Sequence, residues 1–74
     1  MNKNDLYIGQ ILIQTVGTAS TLDRVIDIQS TYFTIKILKY LTNDYYYDID
    51  IHNITYDYCY CYKEITALEK VKYL

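Results

Sequence analysis

Hydrophobic and polar residues alternate along much of the first half of the chain, which is the pattern of half-buried β-strands. The segment Leu6 to Val16 is rich in β-forming residues and is predicted to be the first strand, with a bulge at Gly9. A polar loop is predicted from Gly17 to Thr21. A second clear strand is predicted from Tyr32 to Leu41, after a hairpin turn at Gln29 to Thr31.

The intervening segment, Leu22 to Gln29, fits two patterns. Leu22, Val25 and Ile26 recur at helical spacing, whereas Ile26 and Ile28 alternate with polar neighbours as a strand would. We favour a strand, because the hairpin turn and the next strand follow directly.

A second hairpin is predicted in the tyrosine-rich part of the chain. Thr42 to Asp44 is expected to turn, Tyr45 to Ile51 to run back along the sheet, and His52-Asn53 to form a two-residue turn, since Asn and His tolerate positive φ better than most residues. Such a turn fixes the register of the strands that it joins. On one face the predicted pairs are Ile51 with Ile54, Ile49 with Tyr56, Tyr47 with Tyr58, and Tyr45 with Tyr60.

The opposite face of this predicted hairpin gathers negative charge. Asp48 would lie directly opposite Asp57, with Asp50 next along the strand, and like charges in that arrangement are destabilising. The remaining pairs on this face are Tyr46 beside Cys59 and Asp44 beside Cys61. Three carboxylates are therefore expected at one end of the sheet without a local cation.

The last segment, Lys63 to Leu74, departs from the alternation. Ile65, Leu68 and Val71 recur at helical spacing with good helix formers between them, so a C-terminal helix that closes the sheet is predicted. The predicted fold class is α+β: a small four- to five-stranded, mainly antiparallel sheet, or an SH3-like partial barrel, with a C-terminal helix.

Chain length and strand pattern together favour a homodimer. The 74 residues form a single domain, 1–74, whose core by itself supplies about 3–5 kcal/mol. Tyr58 to Tyr62 has the pattern of a strand that is apolar on both faces. The helix would cover one face, and a second subunit would cover the other.

Charge and composition exclude several classes of function. The net charge is −2, and the run from Tyr40 to Tyr62 holds four carboxylates and no Lys or Arg. Direct nucleic-acid binding is not expected, because it requires a basic face. No apolar run approaches the roughly 20 residues that span a bilayer, and no signal peptide opens the chain, so no membrane partner is expected and the predicted location is the cytoplasm.

No catalytic or cofactor-binding motif is present, so we do not expect an enzyme. Cys59 and Cys61 with His52 fall short of a four-ligand zinc site, and small buried hydrophobes are the commoner role for cysteine. Neither a metal ion nor a cofactor is expected. Tyrosine supplies large rigid contact area with a polar tip, which favours a surface that grips another macromolecule.

Three explanations remain open for the acidic tyrosine face, which comprises Asp44, Tyr46, Asp48, Asp50 and Asp57. It could be a solvated face whose register has slipped, or a site for a hard cation, which oxygen ligands suit. It could also imitate the phosphates of DNA, since strand carboxylates at i and i+2 lie ~6.8 Å apart. Electrostatic steering would then speed binding to a positively charged DNA channel.

A short motif suggests a particular target. Gln29-Ser30-Thr31-Tyr32-Phe33 fits the pattern Gln-x-x-hydrophobic-Phe and resembles the peptide by which polymerases and other partners dock on the bacterial sliding clamp. The resemblance implies that Gln29 hydrogen-bonds at the pocket rim while Tyr32 and Phe33 fill an apolar groove. The segment departs from that pattern in carrying Tyr where Leu is commonest, and in lying at a predicted hairpin. The alternative is a simple hairpin turn followed by Phe33 in the core.

The whole chain is similar to the small inhibitors that lytic phages of AT-rich hosts direct against host replication. The resemblance rests on its short length, acidic charge, abundant tyrosine and the Gln29 motif. It implies a host-takeover inhibitor that binds a host DNA-replication protein, with the sliding clamp as the first candidate, and blocks its DNA channel and partner-binding groove. The alternatives are an anti-defence protein that mimics DNA towards a nuclease, and a small structural or assembly protein that forms homo-oligomers.

Overall fold

A computed structural model of the chain describes residues 1–42 and 49–74. It contains a short 3₁₀ turn at Lys3–Asp5, a five-stranded antiparallel sheet, a 3₁₀ helix and a C-terminal α-helix. The strands and helices in chain order are β1 (Ile11–Val16), β2 (Ala19–Ile28), β3 (Tyr32–Tyr40), β4 (Ile51–Thr55), the connecting 3₁₀ helix (Tyr56–Cys61), β5 (Tyr62–Glu64) and α1 (Ala67–Tyr73).

The sheet is open, with β4 and β5 at its edges. Its strand order is β4-β3-β2-β1-β5, so the chain leaves one edge and returns through the connecting 3₁₀ helix to the other. The predicted α+β class, a small antiparallel sheet or partial barrel with a C-terminal helix, is confirmed. Among the described residues, no helix is long and apolar enough to cross a membrane.

The first strand begins later than its sequence predicts. Gly9 has a φ of 90°, in the left-handed region that favours glycine, and lies in a turn rather than in a bulge. Its N–H donates to the carbonyl of Val25 at 2.8 Å, which anchors the turn to the middle of β2. Leu6, before the turn, is buried in the core.

The first two hairpins follow the predicted pattern closely. The loop predicted from Gly17 to Thr21 is shorter in the structure, because Gly17 at a φ of 60° reverses the chain and β2 already begins at Ala19. The turn at Gln29 to Thr31 is confirmed, and the Gln29 N–H donates to the Tyr32 carbonyl at 2.8 Å.

The main core covers one face of the sheet around Phe33. The buried residues of this cluster are Leu6, Leu12, Val25, Phe33, Ile35, Ile37, Cys59 and Tyr62. A smaller cluster on the opposite face joins Ile13 and Leu22 to Ile65, with Tyr73 of α1 packed against it. The second cluster covers only part of that face, since Arg24 and Lys36 on the outer side of β2 and β3 are exposed.

The predicted hairpin at His52-Asn53 is wrong. Both residues lie inside β4, which pairs along its whole length with β3, from Lys36 opposite Ile51 to Tyr32 opposite Thr55. Thr34 Oγ1 donates to Asn53 Oδ1 at 2.8 Å, so the Asn53 side chain accepts a hydrogen bond from the neighbouring strand β3 instead of stabilising a turn. Consequently the predicted pair of Ile51 with Ile54 does not form, because both residues lie in β4 and face β3. The pairs predicted for residues 44–48 lie outside the described residues.

The segment predicted as a doubly apolar strand, Tyr58 to Tyr62, is for most of its length the connecting 3₁₀ helix. A 3₁₀ helix has three residues per turn, so side chains at i and i+3 lie on the same side. Tyr56, Cys59 and Tyr62 accordingly turn inwards, although Tyr62 itself begins β5. Tyr58 and Tyr60 remain exposed.

The C-terminal helix is confirmed, but its inward face differs from the predicted one. Thr66 caps it, with the Glu69 N–H donating to Thr66 Oγ1 at 3.2 Å and the Thr66 N–H donating to Glu69 Oε1 at 3.1 Å. Leu68 and Val71 are 80% and 83% exposed. Ile65 is buried, but it lies one residue before the capping Thr66 and outside the helix. The helix itself contains no buried residue.

Candidate binding groove at the open edge of the sheet

A groove of about 370 Å³ lies where the sheet fails to close. Its described lining comes from the end of β1, the edge of β4 and the connecting 3₁₀ helix with the residue that follows it: Gln14, Val16, Asn53, Ile54, Thr55, Tyr58, Tyr60, Cys61 and Tyr62. Mostly apolar walls with a few polar groups, and a volume within the usual ~300–1,000 Å³, are typical of ligand-binding clefts.

Two tyrosines form the exposed wall of the groove. Tyr58 and Tyr60 are 55% and 76% exposed, and their rings lie 6.3 Å apart at an interplanar angle of 33°. The 3₁₀ geometry holds them outwards because the intervening Cys59 is buried beneath them. A hydrogen bond with the Cys61 thiol is the main cause that raises the pKa of the Tyr60 hydroxyl.

The other wall carries the open backbone edge of β4. The N–H of Ile37 donates to the carbonyl of Asp50 at 2.7 Å, so these two residues form a hydrogen-bonded pair. Along an antiparallel ladder such pairs alternate with pairs whose backbone groups point away from each other. Following that alternation through the paired residues, the N–H groups of Ile51, Asn53 and Thr55 point away from β3. No described strand pairs with this edge.

A buried polar network lies behind the groove. Thr21 Oγ1 lies 2.8 Å from Asp23 Oδ1, to which it donates, and 3.1 Å from Gln14 Oε1. Asp23 is fully buried, and within the described residues its Oδ2 has no hydrogen-bond partner. Burial raises the pKa of Asp23 to about 7, against the lowering effect of the Thr21 hydrogen bond. The interior therefore favours a neutral carboxyl group.

The structure places the residues of the clamp-like motif in three different environments. Gln29 is exposed in the hairpin turn, where its Nε2 donates to Asp27 Oδ2 at 2.9 Å, and Tyr32 is half-buried at the start of β3. Phe33 is 0% exposed. Its ring stacks on Tyr56 at 5.7 Å and meets Tyr62 edge-on at 5.4 Å. The groove-filling role that the motif implies for Phe33 is therefore wrong, because inward-facing positions of β3 form the core.

The predicted acidic face is only partly described. Asp50 and Asp57 are both exposed, the first just before β4 and the second in the first turn of the connecting 3₁₀ helix. Asp44, Tyr46 and Asp48 lie outside the described residues. Asp57 lies in a 3₁₀ helix and not in the predicted strand, and its predicted partner Asp48 lies outside the described residues.

The cysteines and the histidine do not converge. Cys59 is buried, Cys61 is half-buried, both are free thiols, and His52 lies in β4. Among residues 1–42 and 49–74, no group of three or more His, Cys, Asp or Glu side chains is arranged to hold a metal ion.

Sequence reasoning missed the contributions of Val16, Asn53 and Thr55 to the groove. One local signal was available, since Ile51–Thr55 carries neither Lys nor Pro, the residues that usually protect a strand edge.

Comparison with known proteins finds no matching family model, no matching curated protein and no matching solved structure.

Proposed function

We propose that this chain is a small non-catalytic inhibitor, encoded by a phage, that binds a host DNA-replication protein. The first candidate target is the bacterial sliding clamp. The observation that carries the proposal is the display of Asp57, Tyr58 and Tyr60 on one short 3₁₀ helix beside an apolar groove.

The physical support comes from the rigidity of this surface. Buried Cys59 and Tyr62 pin the connecting 3₁₀ helix to the core, so Tyr58 and Tyr60 lose little conformational entropy when a partner covers them. Exposed tyrosines at such positions are typical binding anchors. Asp57 and Asp50 add negative charge, which would steer the protein towards a basic channel.

The segment Gln29 to Phe33 has no part in this proposal. Phe33 could reach a partner groove only by leaving the core, which would break its packing against Tyr56 and Tyr62. Truncating a buried Phe to Ala typically costs about 3–5 kcal/mol, so we do not expect the folded protein to expose it.

The test measures binding of purified bacterial sliding clamp to the parent protein and to two variants. Tyr60→Ala should weaken affinity at least about tenfold, as expected for a central aromatic anchor. Asp57→Asn should slow association at low salt and reduce the salt dependence of the rate. Tyr7→Ala is the matched control, because Tyr7 is also exposed but lies in the loop before β1 and outside the groove lining.

Two outcomes would count against the proposal at different levels. If the parent fails to bind the clamp at micromolar concentration, the clamp is the wrong target. A pull-down from bacterial lysate with the parent and with Tyr60→Ala then tests the binding function itself. Partners retained equally by both proteins would mean that the groove surface is not the binding site.

A further inference from the structure

We infer that the groove binds an extended segment of a partner protein, which pairs with the open edge of β4 as an additional strand. This inference rests on the proposed function in one respect, namely that the chain acts by binding a protein. It adds the mode of recognition, which is main-chain hydrogen bonding to β4 combined with side-chain contacts in the groove.

The two edges of the sheet are protected very differently. The β5 edge is short, at Tyr62–Glu64, and carries Lys63 and Glu64. The β4 edge carries no charged residue and no proline from Ile51 to Thr55, and Ile51 is 52% exposed. Ile49, two residues earlier, is 65% exposed, with exposed Asp50 between them. Folded proteins normally protect a strand edge with charge, proline or a bulge, so an unprotected apolar edge indicates a surface for strand pairing.

The hydrogen-bonding groups of this edge are suitably arranged. The N–H groups of Ile51, Asn53 and Thr55 alternate along the outer side of β4, at the spacing that an incoming antiparallel or parallel strand requires. An added strand would satisfy them, as in other cases where a peptide extends a sheet.

The groove supplies side-chain recognition on the same edge. Asn53, Ile54 and Thr55 of β4 line the groove together with Val16 of β1 and Tyr58 of the connecting 3₁₀ helix. Because side chains of a strand alternate between two faces, every second residue of the bound segment would enter the groove. We expect apolar or aromatic residues at those positions.

The occupant is a lone extended segment and not the sheet of a second copy. The groove is bounded on one side by β4 and on the other by the connecting 3₁₀ helix, with the end of β1 completing its lining, and Tyr60 is the more exposed of the two wall tyrosines. A single strand fits between such walls, whereas the edge of another complete sheet would bring its neighbouring strands against the helix.

Thr55→Pro tests the pairing with little disturbance of the fold. Thr55 has a φ of −70° and makes no side-chain capping bond, so proline fits its backbone. The substitution removes an outward N–H and leaves the β3–β4 ladder intact. Thr55→Val is the matched control, because it keeps the N–H and the shape of the side chain.

The probe is a display library of random peptides of about eight residues, somewhat longer than a typical strand, selected on the immobilised parent protein. Selected peptides should show alternating apolar residues, shift the backbone amide resonances of residues 51–55, and lose about tenfold in affinity with Thr55→Pro but not with Thr55→Val. Methylation of alternate peptide amide nitrogens should abolish binding in one register only.

Failure of this inference is distinguishable from failure of the proposed function. Peptides that bind Thr55→Pro as tightly as the parent would overturn strand addition. If binding is nevertheless lost in Tyr60→Ala, the groove still binds protein and only the mode of recognition is wrong. A library that yields no peptide above background also overturns the inference, whatever the outcome with the sliding clamp.

Discussion

Asp23 is the residue whose environment departs most from what its type prefers. It lies on the inward side of β2, opposite Leu12 of β1 and Ile37 of β3, with one oxygen bonded to Thr21. A buried charge without a counter-ion is costly, so the group responds by a raised pKa instead. Buried carboxyl groups usually become neutral in such surroundings, and a neutral Asp23 is compatible with the core around it.

We predict that Asp23→Asn stabilises the protein at high pH. The folded-state pKa of about 7 lies above the unfolded value of 3.8, so the stabilisation from protonated Asp23 is complete below pH 4, declines between pH 4 and 7, and is lost above pH 7. As the pH rises from 4 to 8, the unfolding free energy of the variant should therefore increase relative to that of the parent by on the order of 4 kcal/mol. Urea unfolding at both pH values measures the difference.

The control for this prediction is Asp27→Asn, a half-exposed carboxylate on the same strand. It should change the free energy of unfolding by a similar small amount at both pH values. An Asp23→Asn effect that is independent of pH would contradict a neutral Asp23 in the fold.

At the scale of elements, the connecting 3₁₀ helix explains most of the difference between prediction and structure. Tyr56-Asp57-Tyr58-Cys59-Tyr60-Cys61 alternates in type, which favours a strand. In the structure, however, half-buried Tyr56 and buried Cys59 lie three residues apart, and buried Tyr62 follows at the same interval. Both periods can bury Cys59. The strand period and the 3₁₀ period differ at Cys61. A strand would place Cys61 on the same face as Cys59, whereas a 3₁₀ helix turns it to a different side.

We predict that the two cysteines differ in reactivity and in tolerance to serine. Cys59 is buried, and its burial raises the pKa of its thiol, so Cys61 should be alkylated by iodoacetamide well before Cys59. Cys59→Ser places a hydroxyl in the core and should cost about 1–3 kcal/mol of unfolding free energy. Cys61→Ser should cost less than half as much. Equal reactivity and equal cost would support the strand arrangement instead.

At the scale of the whole molecule, the sheet groups cations that are scattered along the sequence. Arg24 and Lys36 are directly paired across β2 and β3, and Lys39 lies opposite Leu22 on the same outer face. The one ion pair among the described residues joins Lys63 to Glu69 at 3.2 Å, away from these three.

The predicted homodimer stays a prediction, although the doubly apolar strand from which it was argued is absent.

We predict that this cationic face does not bind DNA tightly. Three phosphate contacts on a protein of net charge −2 would give a salt slope of only about −2 to −3, well below that of dedicated DNA-binding proteins. Gel-shift assays with single- and double-stranded DNA at physiological salt should show no complex at micromolar protein. A tighter complex that is lost in Lys36→Gln but retained in Lys70→Gln would contradict the inhibitor proposal.

The sequence by itself determined the elements whose local signals agree with one another. Alternation and turn residues specify β2, β3 and the hairpin between them, and Thr66 with Glu69 specifies the start of α1, because these preferences act between residues close along the chain. Only the tertiary structure decided that His52 and Asn53 continue a strand, since the exposed edge of β3 supplied hydrogen-bond partners that a local turn would have left unused. It also decided that Tyr56–Cys61 is a 3₁₀ helix, because the chain must pass from β4 to the opposite edge of the sheet while burying Cys59 in the core. The groove results from those two decisions, because its walls come from residues that are distant along the chain and meet only once the sheet has formed.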